Sequence, residues 1–244
     1  MVPGFLSEIF VSFQGEGTHA GRRQIFIRLA GCNLRCRYCD TPDSLERVPT
    51  YRLYERDGGS RDLANPVDPA QVLAQVARLL DGDAVDGTSI TGGEPLLQAE
   101  FLATLLADER LPRPRLLETN GMLPEPLRAV LPLVDVVSMD VKLPSNSGER
   151  PLWDQHARFL ALAGNKAYVK VLIDAGTKSD EVERAAKLVG RESPGAAIFL
   201  QPITDSRGRI DLDADAMTRF FHAARRHYPD VRLLPQAHKM LAIQ

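Results

Sequence analysis

The sequence predicts an α/β fold, an open and partial TIM-type barrel of about six strand–helix units. Apolar runs of strand length recur along the chain, and the segments between them carry apolar residues at helical spacing. This alternation is typical of a parallel sheet, and six units are too few for a closed eight-stranded barrel. Polar motifs also follow the strands at their carboxyl ends, where the chemistry of such folds gathers.

The predicted strands are Ile25–Leu29, Thr88–Thr91, Leu116–Thr119, Val134–Asp140, Tyr168–Ile173 and Ala197–Gln201. One connecting helix is predicted to begin with Asp68 as N-cap and Pro69 at the first helical position. Its apolar stripe is predicted at Leu73, Val76, Ala77 and Leu80. Another helix is predicted from about Asp213 to His227.

Residues 46–65 interrupt this pattern with a polar excursion that contains the turn signal Gly58-Gly59. We expect a solvated hairpin there. Since the chain has no internal repeat or low-complexity tract, residues 1–244 are predicted to form a single domain with this segment as an insertion after the cysteine motif.

Composition points to a small-molecule partner. Thirty basic and 32 acidic residues give a net charge of −2, which argues against a broad electrostatic grip on nucleic acid or an anionic membrane. The first residues lack the pattern of a signal peptide, and no stretch approaches the ~20 apolar residues of a membrane span. Free cysteines are kept reduced in the cytoplasm, so we expect a cytoplasmic location.

Three cysteines, Cys32, Cys36 and Cys39, are the only ones in the chain and form a C-x3-C-x2-C motif. This spacing suits an iron–sulfur cube in which three irons have thiolate ligands and the fourth keeps an open position. A zinc site would have to recruit Asp40, His19 or a distant histidine as its fourth ligand. A disulfide framework is disfavoured because an odd number of cysteines leaves one thiol over.

Two further motifs follow predicted strands. In Thr91-Gly-Gly-Glu-Pro95 two residues without Cβ atoms allow a ligand close to the backbone, although a simple strand-to-helix turn explains them equally well. Alternation places Ser138, Asp140 and Lys142 on one face, where they offer a hydroxyl, a carboxylate and a cation to one ligand. The alternative for Lys142 is an internal ion pair with Asp140.

Polar and charged residues in apolar surroundings form a second group of candidate site residues. Gln14 and Glu16 interrupt an apolar segment near the start, and Arg28 lies inside a predicted strand. An inward guanidinium needs a carboxylate partner or a bound anion, and a Glu16–Arg28 pair is the structural alternative. The tail at residues 234–244 mixes Gln236, His238 and Lys239 with apolar residues, and His238 by itself supports no role.

Together these residues resemble the radical S-adenosylmethionine (SAM) superfamily. The cluster motif is matched by the three cysteines and the methionine-binding turn by Gly92-Gly-Glu-Pro95. More narrowly, the chain resembles the family of 7-carboxy-7-deazaguanine synthases. The matching segments are Ser12-Phe-Gln-Gly-Glu-Gly17, Cys39-Asp-Thr41, Ser138-Met-Asp140, Gln201-Pro-Ile-Thr204 and Gln236-Ala-His-Lys239.

The resemblance implies a carbon–nitrogen lyase of 7-deazapurine and queuosine biosynthesis, which acts on 6-carboxy-5,6,7,8-tetrahydropterin and releases ammonia. It implies a [4Fe-4S] cluster on Cys32, Cys36 and Cys39, SAM, and a magnesium ion on Thr41. Residues implied to hold SAM are Tyr38, Cys39, Asp40, Gly93, Ser138, Met139, Asp140, Gln201, Pro202, Ile203 and Thr204. Residues implied to hold the pterin are Phe13, Gln14, Gly15, Glu16, Arg28, Thr91 and Gln244 through its carboxylate.

The resemblance also implies a homodimer, and a reductant such as a flavodoxin or ferredoxin. Two alternatives remain open on the residues alone. One is a glycyl-radical activating enzyme, which would share the cluster and SAM but act on a protein. The other is a binding module in which zinc or a cluster is only structural.

Overall fold

A computed structural model describes residues 2–243 of the chain, and within that range ten strands form one continuous sheet. The strands are β1 Leu6–Phe13, β2 Arg23–Leu29, β3 Thr50–Tyr54, β4 Ser60–Ala64, β5 Thr88–Gly92, β6 Arg115–Thr119, β7 Val136–Asp140, β8 Ala167–Ile173, β9 Ile198–Pro202 and β10 Val231–Leu233. The α-helices are α1 Pro69–Leu79, α2 Ala99–Leu106, α3 Pro124–Val130, α4 Pro144–Ser147, α5 Trp153–Ala163, α6 Ser179–Glu192, α7 Ala214–Arg225 and α8 Ala237–Met240.

The sheet is open and mostly parallel, in the order β10-β9-β8-β7-β6-β5-β2-β1-β3-β4. From β2 to β10 every neighbouring pair is parallel. The helices α1, α2, α3, α5, α6 and α7 each connect one of these strands to the next. Six strand–helix units in an open sheet confirm the predicted partial TIM-type barrel.

All six predicted strands are present as β2 and β5 to β9, each within two residues of its predicted bounds. Four other strands complete the sheet: β1 coincides with the apolar segment near the start of the chain, β3 and β4 form the expected hairpin, and β10 was not predicted. The predicted stripe of α1 is partly wrong: Ala77 is exposed, and Val72 and Leu79 are buried with Leu73 and Val76. Such an error of one position arises because adjacent residues of a helix differ by only about 100°.

Residues 46–65 do form a hairpin, β3–β4, but the expectation that it is merely solvated is wrong. Strand β3 pairs in parallel with β1, so the hairpin widens the sheet at one edge. Tyr51 and Leu53 point into the hydrophobic core and are 3% and 0% exposed. Because successive side chains of a strand point to opposite faces, a half-buried strand has polar residues at every second position, and its composition does not reveal its buried face.

The two faces of the parallel strands differ in chemistry. One face packs under the helices as a continuous apolar core that includes Ile27, Ile90, Val137 and Val171. The opposite face carries mainly polar residues in register near the carboxyl ends of the strands. Paired across neighbouring strands there are Arg28 with Thr91, Glu118 with Ser138, Asp140 with Lys170, and Leu172 with Gln201. This inner face is therefore built to hold a polar ligand.

Within residues 2–243, no helix has both the length and the apolar character that crossing a bilayer requires.

The N-terminus of α7 provides a test of local stability. The Asp213 carboxylate accepts a hydrogen bond from Ala216 N at 2.7 Å and so caps the helix. We expect Asp213→Ala to lower the free energy of unfolding by about 1 kcal/mol, because a helix N–H loses its acceptor. Urea unfolding measures this, and Asp213→Asn, which keeps an acceptor oxygen, serves as the control. Equal losses in both variants would contradict the capping role.

Candidate active site

A cavity of about 380 Å³ opens at the carboxyl ends of the strands. The loop after β2 brings Cys32, Cys36 and Cys39 to it, and the inner face of β5 to β9 forms its wall. Most residues that the resemblance assigns to ligands line it. These are Phe13, Gln14, Gly15, Glu16, Arg28, Tyr38, Asp40, Thr41, Thr91, Gly93, Asp140, Gln201 and Ile203.

The cysteine loop begins three residues after β2 and is half-buried. Leu34 N donates to Cys32 Sγ at 3.5 Å, and Arg37 N donates to Ser147 O at 2.9 Å, which ties the loop to the segment after β7. Burial raises the pKa of the Cys36 thiol to about 11. Three thiols at a cavity wall, held on an anchored loop, fit the ligand set of an open cluster.

Glycine is required at position 93 by protein packing. A Cβ atom there would lie 2.4 Å from Gly31 O and 2.6 Å from Ser44 O, which belong to the start and end of the cysteine loop. The predicted reason, room for a ligand, is therefore incomplete. Gly93 N also donates to Leu29 O at 3.1 Å, so the glycine turn and the cysteine loop are held against each other by backbone contact.

Glu94, the acidic residue of the same turn, organises the strand ends rather than facing a cation. Its fully buried carboxylate accepts hydrogen bonds from Leu96 N, Thr119 Oγ1 and Asn120 N at 2.8–3.1 Å. Burial raises the pKa of Glu94 to about 7, and these three donors offset only part of that rise. The Glu94 carboxyl thus joins the ends of β5 and β6.

What we call the cofactor side consists of Tyr38, Asp140 and Gln201, which line the cavity, together with Ser138, which lies on the same face of β7 as Asp140 without lining the cavity. Tyr38 Oη, Ser138 Oγ and Gln201 Oε1 are buried and make no hydrogen bond inside residues 2–243, whereas Asp140 Oδ1 has only the ammonium of Lys170, at 3.2 Å. Buried polar atoms are normally paired, so such a group calls for an external partner. Hydroxyl, carboxylate and amide oxygens suit a ligand with hydroxyl and ammonium donors, which SAM has.

What we call the substrate side consists of Gln14, Glu16, Arg28 and Thr91, which the resemblance assigns to the pterin. Gln14 Nε2 and Thr91 Oγ1 both donate to the Glu118 carboxylate, at 2.8 and 3.1 Å. Ser89 Oγ donates to the same carboxylate at 3.1 Å. Glu118 follows the sheet register on the inner face, and it fixes two residues of the substrate side.

Arg28 has a carboxylate partner, but not the expected one. Its Nε donates to Glu8 Oε1 at 2.6 Å, across the antiparallel β1–β2 pair. The predicted alternative of a Glu16–Arg28 pair is wrong, because Glu16 binds the ammonium of Lys170. Arg28 still lines the cavity, with its side chain 17% exposed.

The predicted internal pair of Asp140 with Lys142 is confirmed, with Lys142 Nζ 2.7 Å from Asp140 Oδ2. Lys142 also lies 5.3 Å from the centre of the Tyr38 ring, in cation–π contact. The Lys142 ammonium therefore lies next to both the cysteine loop and the cofactor side. Lys142 lines the cavity as well, so the ion pair does not remove it from ligand contact.

The tail of the chain forms part of the cavity wall. Gln236 Nε2 donates to Glu16 Oε1 at 2.9 Å and to Asp40 Oδ2 at 3.2 Å. Lys239 Nζ lies 2.9 Å from Asp40 Oδ2. Asp40 is thus engaged by the tail, which weakens its candidacy as a zinc ligand. Gln244 lies outside the described residues.

Some assigned residues do not bring their side chains to the cavity. Met139 packs in the hydrophobic core, as alternation between Ser138 and Asp140 requires. Pro202 and Thr204 are buried behind the end of β9, where Thr204 Oγ1 donates to Pro202 O at 3.2 Å.

Sequence reasoning missed Lys170, Glu118 and Gln236 as site residues, although all three line the cavity. The signal for Lys170 was a lone cation in the apolar run Tyr168–Ile173. Glu118 lies near the carboxyl end of the predicted strand Leu116–Thr119, where polar residues of the site are expected. Gln236 belongs to the tail segment Gln236-Ala-His-Lys239 that matches the family, but the resemblance assigned it no ligand.

Comparison with known proteins gives a family match over residues 26–193, to the radical SAM superfamily. At full length, the chain is 37% identical to the 7-carboxy-7-deazaguanine synthase of Geobacter sulfurreducens, covering 97% of this chain and 96% of the relative. It is 40% identical to the enzyme of that name from Methanopyrus kandleri, covering 96% and 92%. The corresponding protein of Thermococcus kodakarensis is 34% identical, with 98% of both chains covered.

Solved structures agree on the fold. The crystal structure of QueE from Escherichia coli superposes with a TM-score of 0.61 at 21% identity, covering 97% of this chain and 95% of that one. A radical SAM methyltransferase from Sphaerobacter thermophilus superposes with a TM-score of 0.57 at 13% identity, covering 94% and 77%. At these identities the similarity concerns the arrangement of the sheet and helices.

Proposed function

This chain belongs to the radical SAM superfamily and, within it, to the 7-carboxy-7-deazaguanine synthases, and on that premise we propose its reaction. It converts 6-carboxy-5,6,7,8-tetrahydropterin to 7-carboxy-7-deazaguanine with loss of ammonia, in 7-deazapurine and queuosine biosynthesis. The observation that carries this proposal is the full-length similarity to relatives that bear the synthase name. The cavity supports it, because the three thiols and both polar sides meet there.

A [4Fe-4S] cluster and SAM fit the residues present. Cys32, Cys36 and Cys39 would hold the cluster, and the side-chain oxygens of the cofactor side would accept hydrogen bonds from SAM. When bound, this pair supplies one-electron cleavage of the sulfonium and hydrogen-atom abstraction from the substrate. The chain contributes a cavity and fixed positions for the two reactants.

On the substrate side, Phe13 to Glu16, Arg28 and Thr91 would hold the pterin. Glu118 keeps Gln14 and Thr91 in place, and the Gly15 carbonyl accepts a hydrogen bond from Ala237 N at 3.0 Å. Arg28 is the group suited to the substrate carboxylate. A magnesium ion at Thr41 would lie at the same cavity wall, beside the cysteine loop.

The remaining proposals concern partners. A small-molecule site of this kind needs no direct contact with nucleic acid or membrane, and we place the enzyme in the cytoplasm as a homodimer. A flavodoxin or ferredoxin would supply the electron. A glycyl-radical activating enzyme or a metal-stabilised binding module is less well supported, since the relatives described above are named as synthases.

Anaerobic reconstitution tests the proposed reaction. The full chain would be loaded with iron and sulfide, then given dithionite, SAM, magnesium and 6-carboxytetrahydropterin, with products followed by mass spectrometry. Formation of 7-carboxy-7-deazaguanine supports the proposal. Release of 5′-deoxyadenosine with the pterin intact would contradict the proposed substrate but would still agree with the chemistry of the superfamily. Omitting magnesium from a parallel sample tests the metal.

The role of Arg28 has its own test. We expect Arg28→Ala to raise the KM for the pterin about 10–100-fold, because a charge-assisted hydrogen bond to its carboxylate is lost. SAM affinity should not change. The matched variant Glu8→Gln breaks the same ion pair but keeps the guanidinium, so its KM should rise clearly less. Equal rises in both variants would assign Arg28 to the ion pair alone.

A further inference from the structure

Lys170 connects the two sides of the cavity. It lies on the inner face of β8 with 5% of its surface exposed, and its ammonium binds the Glu16 carboxylate of the substrate side. The same ammonium lies 3.2 Å from Asp140 Oδ1 of the cofactor side. Strand register enforces the second contact, since Asp140 and Lys170 are paired across β7 and β8.

Both carboxylates remain charged in this setting. Burial by itself would raise the pKa of Glu16 and of Asp140, but the neighbouring ammonium groups outweigh it, and both pKa values lie below their usual range. The pKa of Lys170 is raised by the same pairing. Glu16, Asp140, Lys142 and Lys170 therefore form a buried set of two negative and two positive charges.

Neutralising charge is not sufficient to explain Lys170. Asp140 already has Lys142 as its partner at 2.7 Å, and Glu16 Oε1 accepts hydrogen bonds from Gln201 and Gln236, both at 2.9 Å. Buried ion pairs repay their desolvation poorly, so they are weak devices for stability. What Lys170 adds is a fixed relation between Glu16 and Asp140, which come from different elements of the chain.

We propose that Lys170 is a positioning residue that holds the substrate side and the cofactor side of the cavity in register for hydrogen transfer. This inference rests on the proposed function, because it concerns the distance between SAM and the pterin. Such transfers require the reacting atoms within about 3–3.5 Å, and a misplacement of about 1 Å can cost about 10²-fold in rate. Loss of register should therefore waste SAM rather than simply slow the enzyme.

The test compares the full-length reconstituted chain with Lys170→Met. The first readout is the amount of 5′-deoxyadenosine released per 7-carboxy-7-deazaguanine formed, which we expect to rise about tenfold or more as product formation falls about 10²-fold. The second is SAM affinity by equilibrium dialysis, expected to weaken about fivefold because the Asp140 acceptor loses one of its anchors. A purely structural loss of active enzyme leaves both quantities unchanged.

Three further variants complete the design. Lys170→Arg keeps the charge and should recover part of both readouts. The exposed Lys187→Met of α6 is the matched control and should behave as wild type in both. If Lys170→Met does not fold, Glu16→Gln/Lys170→Met replaces it. That variant removes one buried carboxylate and one buried ammonium together, so Asp140 and Lys142 remain as a balanced pair. Because Glu16 itself is proposed to hold the pterin, the readout for this variant is SAM affinity, which should again weaken about fivefold.

Two outcomes would overturn the inference. An unchanged ratio with unchanged SAM affinity in a folded Lys170 variant contradicts it directly. If wild type cleaves SAM but leaves the pterin intact, the proposed function fails instead. SAM affinity then decides the role of Lys170 by itself, and an unchanged value overturns it.

Discussion

Replacing Cys36 by alanine is expected to abolish both the iron–sulfur cluster and product formation. The three thiols of the loop are the only cysteines in the chain, so no other thiolate can replace the lost one. Without the cluster no electron reaches SAM, and turnover should fall by about 10⁶-fold or more, the lower range of enzymatic rate enhancement. Iron and sulfide analysis, the visible absorption of the reconstituted protein and the product assay measure the effect.

The control for this variant is the chain before reconstitution. Thermal unfolding of the metal-free Cys36→Ala and wild-type proteins should give similar midpoints, since Cys36 lies on a half-buried loop outside the hydrophobic core. Similar midpoints assign the loss to the missing ligand rather than to unfolding. A variant that kept about four irons and its brown colour would show that Cys36 is not a cluster ligand.

Replacing Glu94 by alanine is expected to have the largest effect on stability. The substitution leaves three buried donors, Leu96 N, Thr119 Oγ1 and Asn120 N, without their acceptor. At about 1–3 kcal/mol for each unsatisfied group, we expect a loss of about 3–5 kcal/mol in the free energy of unfolding. Urea unfolding of the metal-free chain measures it through the shift in midpoint at constant slope.

Glu94→Gln is the matched variant, and it also isolates a dependence on pH. Burial raises the pKa of Glu94 from its ordinary 4.5 to about 7, so the folded chain holds a proton that the unfolded chain releases in this range. The stability contributed by the Glu94 proton is fully present below pH 4.5 and is lost as the pH rises through about 7. The difference in unfolding free energy between wild type and Glu94→Gln should fall by about 3 kcal/mol across that window.

Two results would contradict this view of Glu94. A loss of less than about 1 kcal/mol in Glu94→Ala would mean that water or other groups satisfy the three donors. If the difference in unfolding free energy between wild type and Glu94→Gln does not change between pH 4.5 and 8, the Glu94 carboxyl ionises normally despite its burial. Either outcome would mean that Glu94 does not link the glycine turn to the end of β6 as described.

The arrangement of elements was accessible from the sequence because it depends on local signals. Apolar runs of four to seven residues located the six central strands, and Asp68-Pro69 and Asp213 marked where two helices begin. The hairpin β3–β4 shows the limit of that reasoning. Its composition is polar, yet β1 offers it a free edge and the core accepts Tyr51 and Leu53.

The candidate site divides in the same way. The cysteine spacing, the glycine turn and Ser138-Met-Asp140 are contiguous motifs, and sequence alone located them at the ends of strands. The partner of Arg28 was not accessible, because Glu8 and Glu16 are both carboxylates near the same strand and only the β1–β2 register chooses between them.

By itself, then, the sequence determined the α/β architecture, the cluster motif and the family to which the chain belongs. The tertiary structure alone decided which charges meet: Arg28 with Glu8, Lys239 with Asp40, and Lys170 with both Glu16 and Asp140. The physical reason is that strand propensity and motif spacing are local properties. An ion pair between residues 154 positions apart in the chain depends on strand order and register, which only the folded sheet establishes.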